Sequence, residues 1–142
     1  MSAPFKGDLP YDINFMHQKY GVHKWIAENK DNKELMKKFL KFRLSFLMEE
    51  LQETEKAVDE KDSEEVVDGL IDLVVVALGT LDAFGVDTYR AWDEVLRANL
   101  DKEVGVKESR PNPLGMPDLI KPEGWEAPTH RGNHGIIPNA FQ

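Results

Sequence analysis

Six carboxylates in two short clusters carry the chemistry of this sequence. The first cluster is E-E-L-Q-E, with Glu49, Glu50 and Glu53; the second is E-V-V-D, with Glu65 and Asp68, followed one turn later by Asp72. On a helix, carboxylates at i and i+3 project side by side. Each pair can then clasp one edge of a hard cation. All-oxygen donors suit Mg2+, which usually completes its shell with water and substrate phosphate. Phe39, Phe42, Phe46, Glu50 and Glu53 follow 3–4 spacing and so share one helix face. Glu65, Asp68 and Asp72 share another, and they lead into a run from Leu70 to Leu78 that is apolar except at Asp72. A helix apolar all round is expected to be buried. A bare carboxylate there costs on the order of several kcal/mol, or protonates, unless a cation meets it. Two facing acidic clusters with few cations nearby favour a metal ion over a basic partner. Glu55, Glu60 and Glu64 read as solvated surface charge, and Glu49 taken by itself reads the same way.

The charge is unevenly placed. The 142 residues carry a net charge of −8, which argues against a protein that coats nucleic acid, since that role rests on neutralising phosphates. Yet from His17 to Arg43 there are eight Lys/Arg against three acids, and from Glu49 to Asp72 eleven acids against two lysines. A basic edge beside an acidic cluster suits a small polyphosphate held jointly by cations and metal. Arg43 lies two turns before Glu50 and faces the same way. It is the leading phosphate candidate; Lys102 and Arg97 on a later helix are weaker ones, with ordinary helix-terminal cations as the alternative. Asn99 offers both a donor and an acceptor to a base or ribose, or serves as a cap. His17 is a candidate base contact, with a structural role as the alternative. There are no cysteines, which excludes disulfides and thiolate metal sites and permits an intracellular home. No apolar run is long enough to span a bilayer.

Positioning these groups takes two long helices. The first is expected from about Lys33 to Val58, with Leu35, Phe39, Phe42 and Phe46 as its stripe. Asp59 to Ser63 is long enough only for an antiparallel turn. The second helix, capped by Asp62 or Ser63, ends near Gly85, and Gly79 within it costs about 1 kcal/mol against Ala, a hint of close packing. Before them lie an arm over residues 1–10, a short helix Ile13 to Tyr20 capped by Asp12 and closed by Gly21, and an ambiguous stretch from Val22 to Asn32. After them comes a helix from Asp87 or Thr88 to about Val104. Residues 105–142 are rich in proline and exclude long helices, but Leu119, Ile120, Trp125, Ile136, Ile137 and Phe141 predict that this tail packs over the bundle or a neighbour. No strand-type alternation is present. The expectation is one all-α domain over residues 1–142, a bundle of four to five helices with an irregular C-terminal tail. Burying Val66–Leu81 on every side asks for a homo-oligomer, a dimer or tetramer.

The motifs resemble those of the all-α nucleoside triphosphate pyrophosphohydrolases, the group that includes MazG proteins, dimeric dUTPases and phosphoribosyl-ATP pyrophosphohydrolases. Their pattern is E-E-x-x-E, a spacer, then E-x-x-D. Here the spacer between Glu53 and Glu65 is eleven residues, at the short end. The frame resembles a phage-type MazG-like branch at F-R-L-S-F-L-M-E-E-L-Q-E (Phe42 to Glu53) and at D-G-L-I-D-L-V-V-V-A-L-G-T (Asp68 to Thr80), where Val75 or its neighbour replaces a tyrosine. M-H-Q-K-Y-G (Met16 to Gly21), A-N-L-D-K (Ala98 to Lys102) and K-P-E-G-W (Lys121 to Trp125) complete it. The resemblance implies Mg2+, with Mn2+ as a substitute, and conversion of a nucleoside triphosphate to the monophosphate and pyrophosphate, in deoxynucleotide pool control. It implies a cytoplasmic home, the host's cytoplasm for a phage protein, with neither a nucleic acid polymer nor a membrane as partner. Glu50, Glu53, Glu65, Asp68 and Asp72 are then the metal ligands, and Glu49 or Glu50 the base that takes the proton of the attacking water. Arg43, Asn99, Lys102 and His17 are the substrate contacts. A redox di-iron bundle would need Glu-x-x-His on its helices, and neither long helix contains a histidine. The remaining alternative is a helical oligomer that binds a nucleotide or a partner without turning it over.

Overall fold

The computed structural model describes residues 7–107 and 114–141; part of the expected N-terminal arm, together with Pro111 and Pro113, lies outside them. The fold is all-α, with five helices and one very small sheet among the described residues. Helix α1 (Leu9–Tyr20) starts four residues before the expected Ile13. Asp8, not Asp12, is its cap: the Asp8 carboxylate accepts the Tyr11 N–H at 3.1 Å, and Pro10 sits in the first turn, where its missing N–H costs nothing. Gly21 closes the helix at φ 79°, its N–H reaching back to the Gln18 carbonyl. The left-handed turn costs glycine no Cβ strain. The ambiguous stretch that follows is helical as α2 (Val22–Asn29).

Helix α3 (Lys33–Asp59) is capped by Asn32, which accepts the Leu35 N–H at 3.0 Å. A tight turn with Lys61 at φ 58° leads to α4 (Ser63–Ala83), capped by Asp62 on the Glu65 N–H. Two contacts set the register of this pair. Arg43 meets Thr80, and Thr54 meets Gly69. The partners are eleven residues apart on each helix, in opposite directions, so α3 and α4 run antiparallel in step over about 16 Å.

The chain forms two compact units. One runs through Thr88 and takes back the chain from His134; the other is Tyr89–Asn133. The core of the first unit joins Ile26, Met36, Ala83, Phe84 and Ala140, with Phe39 and Ile137 packed against them. Phe84 is wholly buried and stacks at a tilt on Phe39, 5.6 Å between centroids; burying such a ring contributes about 1.5–3 kcal/mol. The end of the tail therefore does return to the bundle: Ile137–Ala140 is a short 3-10 turn, and the Ile136 N–H bonds the Phe84 carbonyl at 2.8 Å. A Cβ at Gly135 would run into that same carbonyl, so the tail can dock only with glycine there.

In the second unit, α5 (Thr88–Leu100) ends before the expected Val104. Although no alternation marks a strand in the sequence, Glu103–Val104 (β1) pairs antiparallel with Leu119–Ile120 (β2). Pairs this short follow tertiary contact, not alternation. Gly105 makes room for Ile120, whose Cδ1 would lie 2.7 Å from an added Cβ. Glu94 accepts the Thr129 N–H at 3.0 Å and the Arg97 guanidinium at 3.3 Å, and these bonds, the backbone one first, hold its carboxyl below the usual range. A depressed carboxylate contributes stability above the ordinary glutamate range and loses it as pH falls through the depressed value. Glu94→Gln is therefore expected to melt below wild type at neutral pH, and the gap to close in acid. A gap constant across that range in a thermal melt series would contradict this assignment.

Candidate active site

Helices α3 and α4 pack tightly at Thr54 and Gly69, both buried. A methyl group at Gly69 would overlap the Thr54 hydroxyl, with the Thr54 Cβ itself only 3.2 Å away. Thr54 in turn donates to the Glu50 carbonyl one turn back, at 2.7 Å. The contact brings Glu50 of α3 into the field of Asp68 and Asp72 of α4. Burial raises the Glu50 pKa, and the nearby charges of Asp72, Glu53, Asp68 and Glu49 raise it further. Acids from both helices thus act on one carboxyl group.

The expectation of burial needs correction. Glu50 and Asp72 are half-buried, but Glu49, Glu53, Glu65 and Asp68 are exposed. Leu70, Ile71 and Phe42 are each more than half exposed in the single chain. Helix α3 covers one stripe of α4, and α1 and α2 meet α4 around Gly79 and Asp82, which leaves Val67, Leu70, Ile71 and Val74 uncovered. The apolar run therefore keeps an open outer face, and the acids open toward solvent.

Arg43 is held on α4. Its Nε donates to the Thr80 hydroxyl and its Nη2 to the Val76 carbonyl, both at 3.0 Å. Burial lowers the pKa of the guanidinium, which nevertheless stays charged. Gly79 explains the space it occupies: a Cβ there would sit 2.6 Å from Nη2 of Arg43 and 3.2 Å from Nε2 of His17. The close packing hinted at by that glycine is thus against a guanidinium and an imidazole. His17 itself is buried, and its Nδ1 lies 2.7 Å from Oδ2 of Asp82. His23 brings Nε2 to the same oxygen at 2.6 Å, and Asn14 donates to Oδ1 at 3.0 Å. Burial lowers the His17 pKa despite the Asp82 carboxylate beside it. At Asp82, burial works against the charge, but the bonds from Asn14, His23 and His17 outweigh it and lower the pKa.

Sequence reasoning missed Asn14, His23 and Asp82. Their only signal was an acid closing the apolar run and a second histidine just past Gly21. These three also border a cavity of about 470 Å3 whose other walls include Ile26, Lys30, Phe84 and Ile136. Among the described residues, the three metal-capable side chains that come together within 4.8 Å are His17, His23 and Asp82. The acidic residues at the α3–α4 crossing share a field without closing to that spacing, as unneutralised like charges would.

Asn99 and Lys102 belong to the second unit. Asn99 is exposed, and its carbonyl accepts the Lys102 N–H at 3.2 Å. The Lys102 ammonium lies 5.5 Å from the Trp125 ring centroid, and Lys121 lies 4.8 Å from it. Trp125 is anchored by its indole N–H on the Ala98 carbonyl at 2.7 Å. No helix among the described residues is long and apolar enough to cross a membrane.

An all-α bundle on two antiparallel helices, with carboxylates opposed across their crossing, defines the class of the all-α pyrophosphohydrolases. Residues 20–99, more than half of the chain, match the family model of phosphoribosyl-ATP pyrophosphohydrolase, and the chain belongs to that family. Membership gives the activity its general type, hydrolysis of a nucleotide with a pyrophosphate unit involved. No curated protein matches the chain.

Proposed function

We propose that this protein is a metal-dependent pyrophosphohydrolase that cleaves a nucleoside triphosphate between its α- and β-phosphates, in the control of deoxynucleotide pools. The observation that carries the reading is the Thr54–Gly69 contact, which sets Glu50 of α3 in the field of Asp72 and Asp68 of α4, with Glu53 and Glu49 beside it. Such a concentration of negative charge is unfavourable by itself and favours a divalent cation. The donors are all carboxylate oxygens, which fits Mg2+ with Mn2+ as a substitute. Glu50, Glu53, Glu65, Asp68 and Asp72 would hold the ions. A bound cation there would neutralise phosphate oxygens and acidify an attacking water.

The chain's own groups supply the rest. Glu50, and next to it Glu49, is the base for the water proton. Arg43, anchored to Thr80 and Val76, holds a fixed positive charge two turns from Glu50, where a leaving pyrophosphate gains charge. Asn99 and Lys102 enter the reading as substrate contacts on sequence grounds alone.

The test is pyrophosphate release from each canonical NTP and dNTP, and from phosphoribosyl-ATP, with Mg2+ and with EDTA. Metal-dependent pyrophosphate and a monophosphate are expected, most from a deoxynucleotide. Early free phosphate with a diphosphate product, or binding without turnover, sinks the proposal.

The same reading includes a homo-oligomer. The exposed Phe42, Met48, Leu70 and Ile71 on the outer faces of α3 and α4 support it, because apolar surface of this kind is usually covered in solution. Sedimentation at micromolar concentration is expected to give at least a dimer; a monomer of 16.2 kDa refutes it.

A further inference from the structure

We propose that His17, His23 and Asp82 form a second metal centre, separate from the acidic cluster and suited to Zn2+ or a similar nitrogen-preferring ion. The three ligand atoms come from three helices, α1, α2 and α4, and lie within 4.8 Å of one another. Both imidazole nitrogens approach the same carboxylate oxygen, Oδ2 of Asp82, at 2.7 and 2.6 Å. Two imidazoles and one carboxylate are a three-ligand set that catalytic zinc sites use, with a fourth position left open. The acidic cluster, by contrast, offers oxygen alone, so the two places favour different ions. Asp82 follows Asp72 by ten residues on one helix, which separates them by about 15 Å along its axis.

The surroundings are those of an oriented ligand set. Asn14 donates to Oδ1 of Asp82 at 3.0 Å, which turns Oδ2 toward the histidines. Gln18 fixes Asn14 by donating to its Oδ1 at 2.8 Å. Partners of this kind hold a metal ligand in its working orientation. The turn at Gly21 delivers His23 across from His17, the two rings edge to face at 5.8 Å. His23 and Asp82 also line the 470 Å3 cavity, so an open fourth position has room for water or a small oxygen or nitrogen ligand. The present spacings are those of N–H···O bonds. An ion in place of the two ring protons requires the N···O distances to widen to roughly 3.3–3.6 Å, as set by tetrahedral Zn–N and Zn–O bonds of about 2.0–2.2 Å.

The experiment is titration of the metal-free full-length protein with Co2+ and with Zn2+, in millimolar Mg2+ to occupy the acidic cluster. One equivalent of Co2+ with visible ligand-field absorption is expected, displaced by one equivalent of Zn2+. His23→Ala and Asp82→Asn should lose it, while Asp68→Asn, which damages only the acidic cluster, should keep it. His23 is one-third exposed, so its removal is compatible with folding, and His23→Gln serves as a milder second variant. Wild type that binds no Co2+ or Zn2+ beyond the Mg2+ sites overturns the proposal, leaving a hydrogen-bonded triad. So does absorption that survives in folded His23→Ala and His23→Gln. Neither result depends on whether the protein hydrolyses nucleotides.

Discussion

Asp68→Asn is expected to lower pyrophosphate release by about 100- to 1000-fold, the loss typical when one fixed electrostatic group is taken from a phosphoryl or acyl transfer site. The same change should leave the metal-free protein at least as stable as wild type. Asp68 is exposed, so its truncation to an isosteric amide opens no cavity. Its charge raises the Glu50 pKa, together with Asp72, Glu53 and Glu49, and removing one of several like charges relieves repulsion in the folded state. A raised carboxylate contributes stability at low pH that is lost as pH rises through its folded value. At neutral pH, Glu50 is thus a liability without metal, and Asp68→Asn reduces it. Divalent metal should raise the wild-type melting temperature by mass action, and the rise should shrink or vanish in the variant. Paired measurements of kcat and of melting with Mg2+ or EDTA check both halves. If Asp68→Asn turns over like wild type, Asp68 is not a ligand.

Gly69→Leu should destabilise the fold by about 1–3 kcal/mol or more, the usual cost of forcing atoms into a packed contact, which amounts to several degrees in Tm. The Thr54 Cβ stands 3.2 Å from where a first side-chain carbon would lie, and the hydroxyl is closer still. Thr54 is buried, β-branched and bonded to the Glu50 carbonyl, so it has few rotamers into which to retreat. The helices must separate instead, moving Glu50 and Glu53 away from Asp68 and Asp72. Activity should therefore fall further than stability, with metal affinity. Gly69→Ala should cost less, because alanine recovers about 1 kcal/mol of helix propensity. Combining it with Thr54→Gly should recover stability relative to the sum of the two single changes, a coupling expected only for groups in contact. Strict additivity in denaturant melts would show that Thr54 and Gly69 do not set the crossing.

The sequence by itself determined the two long helices, their antiparallel turn and the sharing of faces by Glu50 with Glu53 and by Glu65 with Asp68 and Asp72. All of these are local: helical spacing aligns the acids within each cluster, and Asn32 and Asp62 start the helices where side-chain oxygens can cap them. The Gly79 exception inside α4 was visible for the same reason, as a residue that local propensity does not favour. What met Gly79 was not visible. The tertiary structure decided that Arg43 and His17 fill its space, and that Thr54 rather than a larger side chain meets Gly69. Burial of the acidic faces was also a tertiary matter. Periodicity tells which residues share a face, but how far that face is covered depends on the number and placement of its neighbours. The His17–His23–Asp82 group lay furthest from reach. Its members are up to 65 residues apart in sequence, and they meet only because Gly21 turns α1 back on α2 while α4 passes beneath both. No local pattern encodes a meeting of three helices; the packing around Phe84 and the register of α3 on α4 bring it about.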